Sequence, residues 1–361
     1  MPVGLYIHIP FCRGKCPYCD FYSVLPSKGI IDRYADCICS HLKEHSDRRF
    51  DTVYFGGGSP SLTRAKNIAR MIECANLYGN PEITVECNPS DCGESGFDFE
   101  KAASAGVNRI SLGMQSAVDS ERKTLGRRAD AGDVLNAVKR AQSAGIDNIS
   151  LDLMLGTPGQ NSESLKRSVD FCFSSGAKHI SAYILKIEEG TRFFRIKDKL
   201  SLPDDDETAD LYLKCVELIE ENGMKQYEIS NFAFQGFESR HNLKYWHCEQ
   251  YLGLGPAAHS FIDGRRFYYE RNLEEYMKNP TAVPDGEGGS FEEYAMLALR
   301  LTEGLQNSKV KERFNFDIPA EIFENAKRFE QNGLIKICDD TISLTAKGFL
   351  VSNAVIGSLI I

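Results

Sequence analysis

The first half of the chain repeats one pattern: a short apolar segment, a polar or glycine-rich loop, and then a segment with helical spacing of its apolar residues. Six strand-like segments follow one another in this way, at residues 3–9, 52–55, 83–87, 109–114, 149–154 and 179–185. Strands that alternate with helices are typical of parallel sheets with right-handed crossovers. The sequence therefore predicts an α/β fold, and periodicity alone leaves a partial barrel and a doubly wound sheet as alternatives.

The loop after the first strand carries three cysteines at the spacing CxxxCxxC, namely Cys12, Cys16 and Cys19. In parallel α/β folds such loops gather at one face, where ligands bind. Three thiolates can hold three corners of one metal cluster and leave one metal position for another ligand. The alternative is a zinc site that a distant cysteine or histidine completes. The spare thiols for such a site are Cys87, Cys92 and Cys248.

The cysteine spacing, with Tyr18 directly before the third cysteine, resembles the radical S-adenosylmethionine (radical SAM) superfamily. The resemblance implies that Cys12, Cys16 and Cys19 hold a 4Fe–4S cluster, and that the amino and carboxylate groups of SAM occupy the open iron. The resemblance also decides between the partial barrel and the doubly wound sheet, in favour of the barrel. We therefore expect a partial (β/α)6 TIM-like barrel of the radical SAM type.

The same resemblance assigns cofactor contacts to the loops at the strand ends. Gly56-Gly57-Gly58-Ser59 is similar to the GGGTP motif that cradles the methionine part of SAM, with serine in place of threonine. It implies cofactor-binding roles for Tyr6, Phe21, Gly57, Gly58, Ser59, Glu86, Gln115, Arg127 and Asp152. Glu86 would bind the ribose and Arg127 the carboxylate, although Ala129 stands where the family shows histidine. A tight turn, a solvated carboxylate and a surface arginine are the structural alternatives.

A second informative stretch, at residues 227–260, contains the only tryptophan, several aromatic residues and three of the seven histidines. Such a composition suits a flat conjugated ligand, with an aromatic core as the alternative. From Leu5 to about Ser260 the chain resembles the oxygen-independent coproporphyrinogen III oxidase-like family. The word HNxxYW, which begins at His241, marks the heme-chaperone branch of that family. It implies that His241 is a candidate heme iron ligand, for which imidazole is suited.

Two features favour the chaperone branch over the oxidase branch. The oxidases carry a further cysteine two residues after the third, whereas Asp20-Phe21 follows Cys19 here, and this chain reaches its first strand without their longer N-terminal arm. We therefore expect a heme-binding chaperone with a 4Fe–4S cluster and SAM that transfers heme to acceptor proteins. Oxidative decarboxylation of a porphyrinogen is the alternative, and no catalytic residue is assigned.

Three regions are expected: a radical SAM core at 1–200, an extension carrying HNxxYW and GLGPAAHS at 201–285, and a winged-helix-like domain at 286–361. The net charge of −9 argues against nucleic-acid binding, which needs clustered lysine and arginine. The expected partners are heme or porphyrin, a heme-acceptor protein and an electron donor, with a dimer as a candidate assembly.

The expected location is the cytoplasm. The N-terminus lacks a basic region followed by an apolar one, and no apolar run approaches the roughly 20 residues of a membrane helix. Unpaired thiols suit a reducing compartment. Any membrane contact is expected to be peripheral and made through the acceptor.

Overall fold

A computed structural model describes residues 2–360, and its centre is a parallel sheet in which six strands lie side by side in chain order. These strands are β1 (Val3–Ile9), β2 (Phe50–Gly57), β3 (Leu77–Cys87), β4 (Arg109–Gln115), β5 (Asn148–Leu155) and β6 (His179–Ile184). Every residue of β1 except the partly buried Tyr6 is buried, so both faces of this strand are covered, as expected for a strand inside a parallel sheet. The predicted partial (β/α)6 barrel is confirmed.

Further strands extend this sheet at both edges. The added strands are β7 (Lys225–Gln226), β8 (Asn231–Ala233), β9 (Tyr251–Leu254), β10 (His259–Ile262), β11 (Arg265–Tyr268) and β12 (Val283–Glu287). Within residues 2–360 the order is β12-β11-β10-β9-β1-β2-β3-β4-β5-β6-β8-β7, so the sheet stays open. The region predicted at 201–285 therefore extends the core sheet at both ends, and its boundaries stay a prediction.

Helices connect and flank the strands. They are α1 (Ile30–Glu44), α2 (Ala65–Cys74), α3 (Phe99–Ser104), α4 (Asp119–Thr124), α5 (Ala131–Ser143), α6 (Ser162–Ser174), α7 (Arg192–Ile196), α8 (Asp205–Glu221), α9 (Arg240–Trp246) and α10 (Leu273–Lys278). Local sequence sets their ends: Asn161 accepts the backbone N–H of Ser164 at 3.0 Å, and Ser164 Oγ accepts that of Asn161, which starts α6 with a capping box. On α1, Tyr34, Ala35 and Ile38 form the buried face.

The C-terminal region combines helices with a small antiparallel sheet. Its elements are α11 (Phe291–Ala298), β13 (Leu305–Gln306), α12 (Asn307–Phe314), α13 (Ala320–Glu330), β14 (Ile335–Cys338), β15 (Thr341–Leu344), α14 (Ala346–Leu350) and α15 (Ser352–Ile360). Arg313 donates hydrogen bonds to the carbonyls of His247 and Cys248, at 2.9 and 2.8 Å, which places this region against the segment after α9. Among the helices of residues 2–360, none has both the length and the apolar character that crossing a bilayer requires.

Candidate functional site

A cavity of about 650 Å³ opens at the carboxyl ends of the parallel strands. This size is typical of small-molecule and cofactor sites, and strand ends are where parallel α/β folds bind ligands. The cavity brings together most of the residues that the sequence predicted. These are Cys12, Cys16, Cys19, Phe21, Gly57, Gly58, Ser59, Glu86, Gln115, Arg127 and Asp152.

The three cysteines are free thiols, each partly exposed. The Sγ atom of Cys12 lies 3.8 Å from Ser59 Oγ, and that of Cys16 lies 3.8 Å from Arg127 Nη1. Burial raises the pKa of the Cys19 thiol, and the thiolates of Cys16 and Cys12 raise it further. A raised pKa means that deprotonating this thiol costs free energy. Bound iron would offset that cost because a metal cation stabilises coordinated thiolates.

These thiols fit a cluster with one open position because three sulfur donors line one ligand-sized cavity. The alternative, a zinc site, would need several ligands around a single ion. Within residues 2–360, no three histidine, cysteine or carboxylate side chains converge closely enough to hold one.

The glycine loop packs against the base of the cysteine loop. The backbone N–H of Gly58 donates to Ile9 O at 2.8 Å, and that of Ser59 donates to Phe11 O at 2.7 Å. A Cβ atom on Gly58 would lie 2.6 Å from Phe11 O, and one on Gly57 would lie 2.5 Å from the His8 ring. Glycine is therefore required at Gly58, where two backbone segments approach more closely than a side chain allows, and at Gly57, where the His8 ring fills the space and φ is 107°.

Two buried carboxylates lie in the cavity wall. Glu86 accepts hydrogen bonds from Tyr54 Oη at 2.9 Å and from the Gly57 backbone at 3.2 Å, and Asp152 accepts one from Ser111 Oγ at 3.0 Å. Burial and the charge of Asp152 raise the pKa of Glu86 to about 7, and burial raises the pKa of Asp152 to about 6. Near neutral pH each of these carboxyl groups can therefore hold or release a proton. Perturbed pKa values of this kind are common at functional sites.

Arg109 is a cavity residue that the sequence interpretation missed. Its side chain is 2% exposed and lines the cavity, and its Nε has no hydrogen-bond partner among the described residues. Its positive charge lowers the pKa of both Glu86 and Asp152, against the effect of burial. The available signal was a charged residue at the start of an apolar strand, which is costly without a partner. Tyr54 and Ser111 also line the cavity and were also missed.

Gln115 and Arg127 lie where β4 leads into the cavity. Gln115 has a φ of 68°, a left-handed conformation that is uncommon outside glycine and is often found at functional sites. Arg127 donates to Gly113 O and lies 3.4 Å from Asn88 Oδ1, in addition to its contact with Cys16. Arg127 is thus a partly buried link between the β4 loop and the cysteine loop, and the surface-arginine alternative is wrong.

His241 lies outside the set of cavity-lining residues and is 1% exposed. Its Nδ1 lies 2.8 Å from Thr52 Oγ1 and its Nε2 lies 2.8 Å from Tyr245 Oη, so both ring nitrogens are engaged. Its ring stacks on Tyr54 at a centroid distance of 5.2 Å. Burial lowers its pKa to about 3. In this conformation His241 is therefore part of an aromatic core, which was the structural alternative for this stretch. The geometry gives no support for iron ligation by His241.

Two other residues also lie away from the cavity lining. Tyr6 stacks on Tyr54 at 6.3 Å between ring centroids, and its hydroxyl lies 3.0 Å from His8 Nδ1. Tyr6 therefore reaches the cavity only through Tyr54. Cys248 is 2% exposed, so it is not a solvent-facing thiol. From α9, it is Asn242 that lines the cavity.

Comparison with known families places two domains on the chain. Residues 6–172 match the Radical SAM superfamily, and residues 291–351 match the HemN C-terminal domain. The first match begins within β1 and covers the cysteine loop and the strands β2 to β5, and the second lies in the C-terminal region of helices and small sheet.

Similar proteins extend the match over nearly the whole chain. The heme chaperone HemW of Bacillus subtilis is 32% identical over 98% of this chain and 98% of its own length. That of Lactococcus lactis is also 32% identical, over 98% of this chain and 96% of its own. The structure of coproporphyrinogen III oxidase (HemN) from Escherichia coli shares the fold, with a TM-score of 0.83, 18% identity and coverage of 99% and 90%. The chain therefore belongs to the HemW family of radical SAM proteins.

Proposed function

We propose that this protein is a heme chaperone that binds a 4Fe–4S cluster and SAM and transfers heme to an acceptor protein. Three cysteines at one cavity, in a chain that matches HemW proteins over nearly its full length, are the observation that carries the proposal. Membership of the radical SAM family implies the cluster and SAM. Heme, the acceptor protein and an electron donor are proposed partners, and a dimer is the proposed assembly.

Cys12, Cys16 and Cys19 would hold the cluster, which when bound supplies an open iron and an electron for SAM. The chain itself supplies the walls of the SAM site. Glu86 is proposed to accept a hydrogen bond from the ribose, and Arg127, beside Cys16, to pair with the cofactor carboxylate. The remaining proposed contacts come from Phe21, Gly57, Gly58, Ser59, Gln115 and Asp152, with Tyr6 supporting Tyr54 from behind.

Anaerobic reconstitution with iron and sulfide tests the cluster. The wild type should develop iron–sulfur absorption and an electron paramagnetic resonance signal on reduction, and the variant Cys12→Ala/Cys16→Ala/Cys19→Ala should develop neither. Cys338→Ala is the matched control because this thiol is exposed and belongs to β14, outside the cavity. A full cluster in the triple variant would refute the assignment.

A second experiment separates the chaperone from an oxidase, whose fold the chain shares. Reconstituted protein is incubated with SAM, a reductant and coproporphyrinogen, and in parallel is titrated with heme. We expect a Soret band from bound heme, transfer of that heme to an apo-acceptor, and no protoporphyrinogen. Rapid formation of protoporphyrinogen would overturn the chaperone proposal in favour of the oxidase.

A further inference from the structure

The cavity is more cationic than the chain that contains it. Its lining includes seven lysine and arginine residues against five aspartate and glutamate residues, in a chain with a net charge of −9. A local excess of one sign in a cleft attracts ligands of the opposite sign. The cavity is therefore suited to a ligand that carries negative charge.

Most of the exposed cations at the cavity mouth are already paired. Arg13 pairs with Asp91, Lys186 with Glu188, and Arg271 with Asp20 at 3.6 Å. These pairs leave less of the local positive charge for a ligand.

Lys15 and Arg128 differ from these cations. Both are exposed and line the cavity, and neither has a carboxylate within 4 Å in the part of the chain that the structure describes. The Nη2 atom of Arg128 lies 3.5 Å from the Cβ position on Gly14, the residue next to Lys15. Two unpaired cations thus flank one glycine of the cysteine loop.

The same mouth exposes large apolar side chains. Phe21 is 68% exposed, Tyr183 is 44% exposed and Ile184 is 41% exposed, and all three line the cavity. Phe21 lies two residues after the third cysteine, while Tyr183 and Ile184 end β6. Exposed apolar side chains that cluster at a cleft mark a binding site. The mouth is therefore amphipathic, with an apolar surface and two unpaired cations beside one opening.

We propose that heme binds at this mouth, with its macrocycle on Tyr183 and Ile184, beside the proposed SAM contact Phe21, and with its propionates on Lys15 and Arg128. The inference rests on the proposed heme-chaperone function and assigns a site to it. A flat conjugated dicarboxylate uses both features of the mouth. A neutral apolar molecule would leave the cations unpaired, and a small dicarboxylate would leave the apolar surface exposed.

Heme and heme dimethyl ester, in which both propionates are neutral, test whether charged propionates contribute to binding at this mouth. Each is titrated into reconstituted full-length wild type, into Lys15→Gln/Arg128→Gln, and into a control variant, Lys123→Gln/Arg167→Gln, whose side chains are exposed and lie outside the cavity lining. Two exposed ion pairs of about 0.7 kcal/mol each correspond to about tenfold in Kd. We expect the mouth variant to bind heme about tenfold more weakly, the ester to bind all three proteins alike, and the control to match the wild type.

Lys15 belongs to the cysteine loop, so iron–sulfur absorption is recorded for every variant. Arg128→Gln and Ile184→Ser lie outside the span between the cysteines and outside the proposed SAM contacts, and each should weaken heme binding with the cluster intact. Unchanged heme affinity in these two variants, or equal weakening of heme and ester in the double variant, would overturn the mouth site. That result leaves heme handling standing, whereas a wild type that binds no heme would refute the proposed function itself.

Discussion

The Nε atom of Arg13 lies 2.6 Å from Oδ1 of Asp91, so a 60% exposed arginine side chain is paired with a carboxylate side chain that is only 3% exposed. Asp91 also accepts a hydrogen bond from Ser61 Oγ at 3.3 Å. Arg13 stands directly after the first cysteine, and Asp91 lies in the turn that follows β3. The pair therefore anchors the cysteine loop to the barrel.

Asp91→Asn should weaken that anchor and make the cluster less persistent. The substitution removes the carboxylate charge that holds Arg13 and Ser61. Hydrogen bonds to charged groups contribute about 1.5–3 kcal/mol, and the exposure of Arg13 favours the lower end, so we expect a lower unfolding temperature and faster loss of iron to a chelator. Asp36→Asn is the matched control because its ion pair with Arg70 is exposed on both sides and is worth at most about 1 kcal/mol. Equal rates of iron loss in both variants would show that Asp91 does not hold the loop.

Gly58→Ala should disrupt the cavity although it adds one methyl group. That methyl group would lie 2.6 Å from Phe11 O and 2.8 Å from Ile9 O, and backbone atoms cannot move aside as a flexible side chain can. We expect incomplete cluster reconstitution and weak SAM binding, measured by iron content and by equilibrium dialysis. Gly93→Ala should behave as the wild type, since no atom lies within 4 Å of its Cβ position. Full cluster and SAM binding in Gly58→Ala would contradict the close-packing requirement.

Glu86 should make the folded protein less stable as pH rises from about 5 to about 8. Its pKa is raised from 4.5 to about 7 by burial and by Asp152, so between these values the folded state holds a proton that the unfolded chain has released. Stability falls with pH wherever the folded state binds more protons. Glu86→Gln removes this titration, and its stability relative to wild type should therefore improve by about 1–3 kcal/mol between pH 5 and pH 8.

Urea unfolding of both proteins at the two pH values measures this difference. Glu163→Gln, on the exposed start of α6, is the control and should show no such improvement. A pH-independent difference between Glu86→Gln and wild type would mean that Glu86 titrates in the folded protein as it does in the unfolded chain.

His241→Ala should lower stability while the Soret band of bound heme keeps its position. The substitution leaves Thr52 and Tyr245 without their buried partner and opens a cavity beside Tyr54, which together cost about 2–4 kcal/mol. Thermal unfolding and heme spectra are compared with those of His247→Ala, whose side chain is 29% exposed. A shifted Soret band without loss of stability would instead establish His241 as the iron ligand, and α9 would then have to open.

Much of the fold, and the identity of the loops that line the cavity, follow from local sequence. The alternation of strands and helices predicted the parallel core, and the predicted bounds of β1, residues 3–9, are those observed. The cysteine spacing and the glycine run after β2 predicted which loops meet at the cavity. Such signals are readable because each one depends on residues that are neighbours in the chain.

The remaining features depend on contacts between distant segments. His241 is buried where it meets Thr52, 189 residues away, and Arg127 contacts Cys16, 111 residues away. Arg109 stood in the sequence as a charge in an apolar strand, but only packing shows that it faces Glu86 and Asp152. The sequence by itself predicted the three cysteines that are proposed as cluster ligands and the succession of strands and helices along the chain. Tertiary structure decided which side chains reach the cavity, because burial and pairing arise only when remote segments pack together.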